Sequence, residues 1–244
     1  IIKLTKNAKQ KFGINNKIID NKKNIQVTNN ILEACIKKKI KKIIFSSTGS
    51  VYGEANFFPT PEHYNYPIQT SLYANSKNCC EGMITAYSKY FNLNYTIFRF
   101  VSVLGQKYTH GHVKDFCKKI IKNKKKIKIF GNGKQKKSYM HVDDCVNALI
   151  MSIKNKKFDK EIFNLGTEEW ITVNQSLNLI CKILDVKPKI IREEEKKSGW
   201  PGDNPKILLS TNKIKKLGWK TKKNIKESIT DTVEYLISNR FLLK

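Results

Sequence analysis

The apolar positions of this chain follow two rhythms that alternate along its length. From Asn21 to Lys39, Ile25, Thr28, Ile31, Leu32 and Cys35 recur at helical intervals and predict a helix. Ile40 to Phe45 then forms an apolar run that ends in Ser46, Ser47 and Thr48. A buried parallel strand ends in this way when its last turn opens into a site. Glu54 to Pro67 is polar, carries three prolines and reads as a loop over that site. Asn75 to Phe91 predicts a second helix, with Tyr73 and Lys77 at the start of its pattern. Tyr95 to Leu104 is nearly continuous in apolar residues and predicts a buried strand. Beyond it the pattern predicts a helix over 113–123. Met140 to Asp144 opens a helix running to about Ile153, with Asp143 or Asp144 placed as its N-cap. A short strand follows at Phe163 to Gly166, then helices from Thr172 through Leu184 and from Ile225 to Ser238. There is no internal repeat and no heptad seam.

Composition narrows the class. The 244 residues, 40% of them hydrophobic, suffice for one large or two small domains with a substantial core. No apolar run approaches the ~20 residues of a membrane span, and no signal segment is present. The six cysteines contain no Cys-x-x-Cys pair, so reduced thiols in a cytoplasmic protein are the expectation. The net charge of +27 invites a nucleic-acid reading. Against it, arginine accounts for only three of the 47 basic residues (Arg99, Arg192 and Arg240), whereas phosphate readers usually employ arginine forks as well. The expectation is no nucleic-acid partner.

The candidate chemistry lies between Lys42 and Lys77. Tyr73 and Lys77 stand four apart, which puts a phenol and an ammonium on one helix face. A free tyrosine, with a pKa of about 10, is a poor base at neutral pH. A neighbouring cation favours the phenolate and brings the phenol toward working range. Thr48, at the strand end, supplies a hydroxyl able to share a hydrogen bond with the same substrate oxygen. Tyr-x-x-x-Lys alone usually marks two helix-surface residues, and the hydroxyl-tipped strand followed by VYGE changes that reading.

SSTGSVYGE followed by TSLYANSK resembles the extended short-chain dehydrogenase/reductase superfamily, within its nucleotide-sugar epimerase/dehydratase group. UDP-glucose 4-epimerases and UDP-glucuronate 4-epimerases are the nearest resemblance, from about Ile1 to Ile237. It implies an α/β fold: part of a Rossmann domain, a doubly wound parallel sheet, with a smaller C-terminal α/β substrate domain. Residues 1–108, with 139–156 returning, would form the C-terminal part of the NAD-binding domain. Residues 109–138 and 157–244 would bind the nucleotide sugar. The segment 127–139 resembles a hairpin-like motif of the family. IIKLT corresponds to the family's fourth strand, so the first three strands and their Gly-rich pyrophosphate turn have no counterpart here. A fragment, a truncated gene and a split enzyme are the three explanations.

The resemblance assigns catalysis to Thr48, Tyr73 and Lys77, and NAD contacts to Asn24, Ser46, Ser47, Tyr73, Lys77 and Phe100; a surface polar role remains the alternative for Asn24. For the UDP-sugar it implies Thr48, Gly49, Ser50, Ser102, His110, His112, Lys137, Arg192 and Asp203. Several positions depart from the family pattern. Ser102 stands where most epimerases have asparagine, Lys137 replaces an arginine, and Trp200 replaces the arginine that meets the diphosphate. His110 and His112 serve either as substrate contacts or as turn polar groups. They make a poor metal site without a nearby carboxylate or cysteine. A homodimer through helices 21–39 and 75–91 is implied.

The reaction implied is C4 epimerisation through a transient 4-keto sugar. Dehydratases and decarboxylases of the group carry an acid just after the catalytic hydroxyl, whereas Gly49 and Ser50 follow Thr48 here. The departures at Ser102 and Trp200, with the positive charge, lean toward UDP-glucuronate over UDP-glucose. The alternatives are a non-catalytic remnant, one part of a split epimerase and, more remotely, a basic nucleic-acid binder.

Overall fold

The computed structural model describes residues 1–4, 18–65, 68–192, 204 and 206–243. Its central sheet has four parallel strands, the fourth being β8 (Glu161–Leu165) at one edge. β1 (Ile2–Lys3) pairs with β2 (Lys42–Thr48), which pairs along its whole length with β3 (Asn94–Phe100). The run Ile43-Ile44-Phe45 is buried because both faces of this strand are covered. On one face Ile43 and Phe45 pack against α1 (Val27–Lys37) and α2 (Leu72–Phe91), through Leu32, Cys35, Cys80 and Ile84. On the other, Ile44 and Phe98 meet Met140, Ala148, Leu149, Phe158 and Trp219.

Several elements differ from the expectation, each for a local reason. The first predicted helix starts with a π-helical turn, Asn21–Gln26, before α1. The second begins at Leu72, so Tyr73 lies inside its first turn; Ser71 caps it by accepting from Ala74 N at 3.1 Å. The expected strand 95–104 divides at Val101. Val101 N donates to Leu165 O (3.0 Å), and the chain continues as β4 (Ser102–Leu104) in another sheet.

The next elements are α3 (His112–Lys122), β5 (Lys126–Ile129), β6 (Lys136–Lys137), β7 (Tyr139–His141) and α4 (Val142–Lys154). Segment 127–139 is not a hairpin. β5 pairs with β10 (Lys189–Arg192), and β6 lies between β9 (Ile171–Thr172) and β11 (Lys206–Ile207). The N-cap of α4 is His141, which accepts from Asp143 N at 3.2 Å, and neither aspartate takes that place. Asp143 is exposed, while buried Asp144 accepts from Lys222 N and Lys223 N at 2.9 and 3.4 Å.

β8 (Glu161–Leu165) was expected in the second part, from 157 onward. It instead joins the main sheet beside β3, because its apolar core, Phe163 and Leu165, fills the face beneath Phe98. The second part buries its own core between α3, α5 (Val173–Ile183) and α7 (Ile225–Ser238). Capping boxes at Thr172/Gln175 and Asn224/Glu227 start α5 and α7. A short helix, α6 (Asn212–Lys215), precedes α7. Among the described residues no helix is long and apolar enough to cross a membrane.

Candidate active site

The end of β2 and the first two turns of α2 form one buried unit. Tyr73 and Lys77 are both buried, at 3% and 0% exposure. Lys77 Nζ donates to Ser46 O at 2.5 Å and lies 4.3 Å from the Phe45 ring centre. A buried ammonium needs such partners, and the carbonyl and the ring face supply part of them. The lysine is thereby fixed to the last residues of the strand that carries Thr48. Thr48 caps the short 3-10 turn Gly49–Tyr52: its Oγ1 accepts from Ser50 N (3.2 Å) and donates to Ser50 Oγ (3.3 Å). Gly49 sits where a Cβ would come within 3.1 Å of Leu209 and 3.4 Å of Phe100 O. Gly53, at φ +59°, ends the 3-10 turn within the VYGE motif; a Cβ there would meet Ile68 O at 2.0 Å.

Asn24 reaches this unit from the π-helical turn. Its Nδ2 donates to Ser76 Oγ (2.8 Å), and Ser76 Oγ donates to Tyr73 O (2.8 Å). Asn24 is fully buried, not a surface residue, and its Oδ1 has no hydrogen-bond partner among the described residues. Ser46 Oγ donates to Lys3 O at 3.2 Å. Ser47 points to α2 and donates to Glu81 Oε1, so its hydroxyl is already committed. Phe100, half-buried, stacks on Phe98 with ring centres 6.3 Å apart and pairs in register with Thr48.

The residues expected at the sugar nucleotide are more dispersed. Ser102 is exposed on β4 opposite Tyr139. His110 stacks on Tyr108, with Thr109 Oγ1 3.3 Å from its Nδ1. His112 lies inside the second part's packing: Nε2 is 2.8 Å from Ser176 Oγ, Nδ1 is 3.2 Å from Tyr139 OH, and its ring stacks on Tyr139. Burial, with a contribution from Lys137, brings its pKa down to about 4, so it is neutral at pH 7. Lys137 Nζ donates to Asn204 O, while Arg192 is exposed at the end of β10. Asp203 and Trp200 lie outside the described residues.

A charged network behind the site has no counterpart in the sequence reading. Glu81 receives Arg99 Nη2 at 2.7 Å and Nε at 3.2 Å. Arg99 Nη1 donates to Tyr52 OH (2.8 Å) and Glu62 O (3.1 Å), and Tyr52 OH donates to Asn164 Oδ1 (2.7 Å). Burial alone would lower the Arg99 pKa, but hydrogen bonds and charge from Glu81, helped by Tyr52, raise it, so the guanidinium stays charged. Burial pushes the Tyr52 phenol up to about 12 against the pull of Arg99, keeping it a donor. The signal available was spacing: Glu81 follows Lys77 by four, as Lys77 follows Tyr73.

The chain is similar to several known proteins. A putative UDP-glucose 4-epimerase from Methanocaldococcus jannaschii is 33% identical over 93% of this chain and 73% of its own length. A UDP-glucuronate 4-epimerase from Thermodesulfobacterium geofontis is 27% identical, covering 100% of this chain and 74% of its own. The crystal structure of UDP-glucose 4-epimerase from Thermotoga maritima with UDP-glucose superposes with a TM-score of 0.88 at 32% identity, over 98% of this chain and 77% of that one. Residues 4–166 match the epimerase profile described as the NAD dependent epimerase/dehydratase family. With its Rossmann-like parallel sheet and its tyrosine and lysine buried against the tip of β2, the chain belongs to the NAD-dependent nucleotide-sugar epimerase/dehydratase family.

Proposed function

We propose that the protein is an NAD-dependent 4-epimerase of UDP-glucose or UDP-glucuronate. The observation that carries this reading is the burial of Tyr73 and Lys77 on one face of α2, with Lys77 tied to Ser46 O two residues before Thr48. Tyr73 accepts the proton of the sugar's 4-hydroxyl and later returns it to the 4-oxygen. Lys77, a cation one helical turn away, favours the phenolate that this transfer requires. Thr48 turns its hydroxyl from Ser50 toward the same oxygen and steadies it. No acid side chain follows Thr48 directly, so β-elimination lacks a proton donor there and epimerisation is favoured over dehydration.

NAD, when bound, supplies the redox step by taking hydride from the sugar carbon and giving it back. The residues present fit it: Asn24 Oδ1 is a buried acceptor that a ribose hydroxyl would satisfy, and Lys77 and Ser46 lie on the same unit. Phe100 borders the tip of β2. Gly49, Ser50, Ser102, His110, Lys137, Arg192 and Asp203 remain assigned to the UDP-sugar. For Ser47 and His112, held by Glu81 and by Ser176 and Tyr139, a packing role is proposed instead.

A homodimer through residues 21–39 and 75–91 accompanies this reading, supported by the exposed rings of Tyr90 and Phe91 on α2. The proposed cellular site is the cytoplasm. The deciding experiment follows interconversion of UDP-glucose with UDP-galactose, and of UDP-glucuronate with UDP-galacturonate, by the full-length gene product with NAD. Turnover by wild type and its loss in Tyr73→Phe is the expected result; equal rates overturn the assigned base.

A further inference from the structure

Tyr73, Lys77 and Glu81 occupy positions i, i+4 and i+8 of α2, and all three are buried. They therefore lie along one helix face, and a carboxylate stands as close to Lys77 in sequence as the phenol does. Left alone, that carboxylate would oppose the effect of Lys77 on Tyr73. It is not left alone. Arg99, on β3, meets Glu81 with both Nε and Nη2, within 3.2 Å of Oε1 and 2.7 Å of Oε2. Arg99 is also the register partner of Ser47, whose hydroxyl donates to Glu81. α2 thus grips two consecutive residues of β2: Ser46 through Lys77 and Ser47 through Glu81. The next residue is Thr48. On its far side Arg99 reaches Tyr52, which closes the turn that Thr48 caps.

We propose that Glu81 and Arg99 are positioning residues for the proton-transfer site. Glu81 fixes the β2 tip, and with it Thr48, against the helix of Tyr73. Arg99 neutralises Glu81 so that the charge of Lys77 acts on the phenol undiminished. The inference rests on the Tyr73–Lys77 reading given above. Other titratable groups about this face are Tyr52 and Glu62 beside Arg99, Lys3 of β1, 5.0 Å from the Phe45 ring centre, and Cys80, which burial keeps protonated. The Glu81 and Arg99 substitutions below replace neither Lys3 nor Cys80.

The test reads the phenol itself and needs neither cofactor nor turnover. The titration of Tyr73 is obtained from tyrosinate absorbance as the difference between each protein and its Tyr73→Phe counterpart. Arg99→Gln exposes the Glu81 charge and raises the Tyr73 midpoint. Glu81→Gln exposes the Arg99 charge and lowers it. Glu81→Gln/Arg99→Gln removes both charges and returns the midpoint to near wild type. The single shifts are of order one pH unit, as for a unit charge about 12 Å away in a partly buried setting. A purely structural role moves both single variants in the same direction or neither, and either outcome overturns the inference. Where Arg99→Gln does not fold, Glu81→Gln measured against the double variant carries the same sign test, a lower midpoint being expected. Lys77→Met separates the two readings. If it leaves Tyr73 unmoved, the phenol–cation assignment fails; if it raises the midpoint while Glu81 and Arg99 do nothing, only the positioning inference fails.

Discussion

His112 makes the protein lose stability in mild acid. Its ring sits between Tyr139 and Ser176, with Phe116 at its edge, in a packed layer where burial, helped by the charge of Lys137, disfavours the imidazolium. The pKa is about 4 folded against 6.5 unfolded. Between those values the unfolded chain binds a proton that the folded chain does not. Stability therefore rises with pH across this window, and it falls as the pH drops from about 6.5 toward 4. At 1.36 kcal/mol per unit, the 2.5-unit gap sets a ceiling of roughly 3 kcal/mol, of which about 2 kcal/mol is lost between pH 7.5 and pH 5. The control is His112→Gln, which keeps a group able to reach the Ser176 hydroxyl and does not titrate. Urea unfolding of both proteins at the two pH values gives four stabilities. At pH 7.5 wild type is the more stable. At pH 5 its margin over the variant shrinks by about 2 kcal/mol. A margin that stays constant would show that His112 titrates alike folded and unfolded, and the packing argument would then be wrong.

Other outcomes are expected from the same geometry. Tyr73→Phe keeps the fold and reduces epimerase turnover by roughly 10²–10⁴-fold, the usual contribution of a general base, checked by circular dichroism alongside the rate. Asp144→Ala leaves Lys222 N and Lys223 N without their acceptor and lowers unfolding stability by about 2–4 kcal/mol, whereas Asp143→Ala, at an exposed position, changes it by less than about 1. Gly53→Ala forces a side chain into φ +59° and onto Ile68 O, and a loss of 2 kcal/mol or more in urea titration is expected. Tyr90→Glu on the exposed face of α2 shifts sedimentation from dimer to monomer; an unchanged sedimentation coefficient would remove residues 75–91 from the contact.

What could be read in advance was what depends on near neighbours in the chain. The apolar run ending in three hydroxyls marked β2, and four-residue spacing placed Tyr73 with Lys77. Thr172 marked the start of α5, which it caps. The misread cap has its partner far away. Asp144 looked like a cap because Lys222, whose amide it holds, is 78 residues away. The apolar stretch 95–104 carries no mark of the change of sheet at Val101, since both halves are equally buried-strand-like in composition. Arg99 was visible as a rare arginine, but only the β2–β3 register brings it beside Ser47 and Glu81.

That change of sheet limits how the molecule can flex. The backbone passes from the large sheet to the small one within a single residue, Val101, and is held on both sides: by Leu165 before the crossing and by Tyr139 to His141 after it. No slack remains there for a hinge. If the part built on α3, α5 and α7 shifts against the central sheet, bending along this stretch falls to the turns at Gly105 and Gly111, whose backbones occupy conformations closed to most other residues. Stiffening those connections would slow opening and closing while leaving the proton-transfer groups where they are.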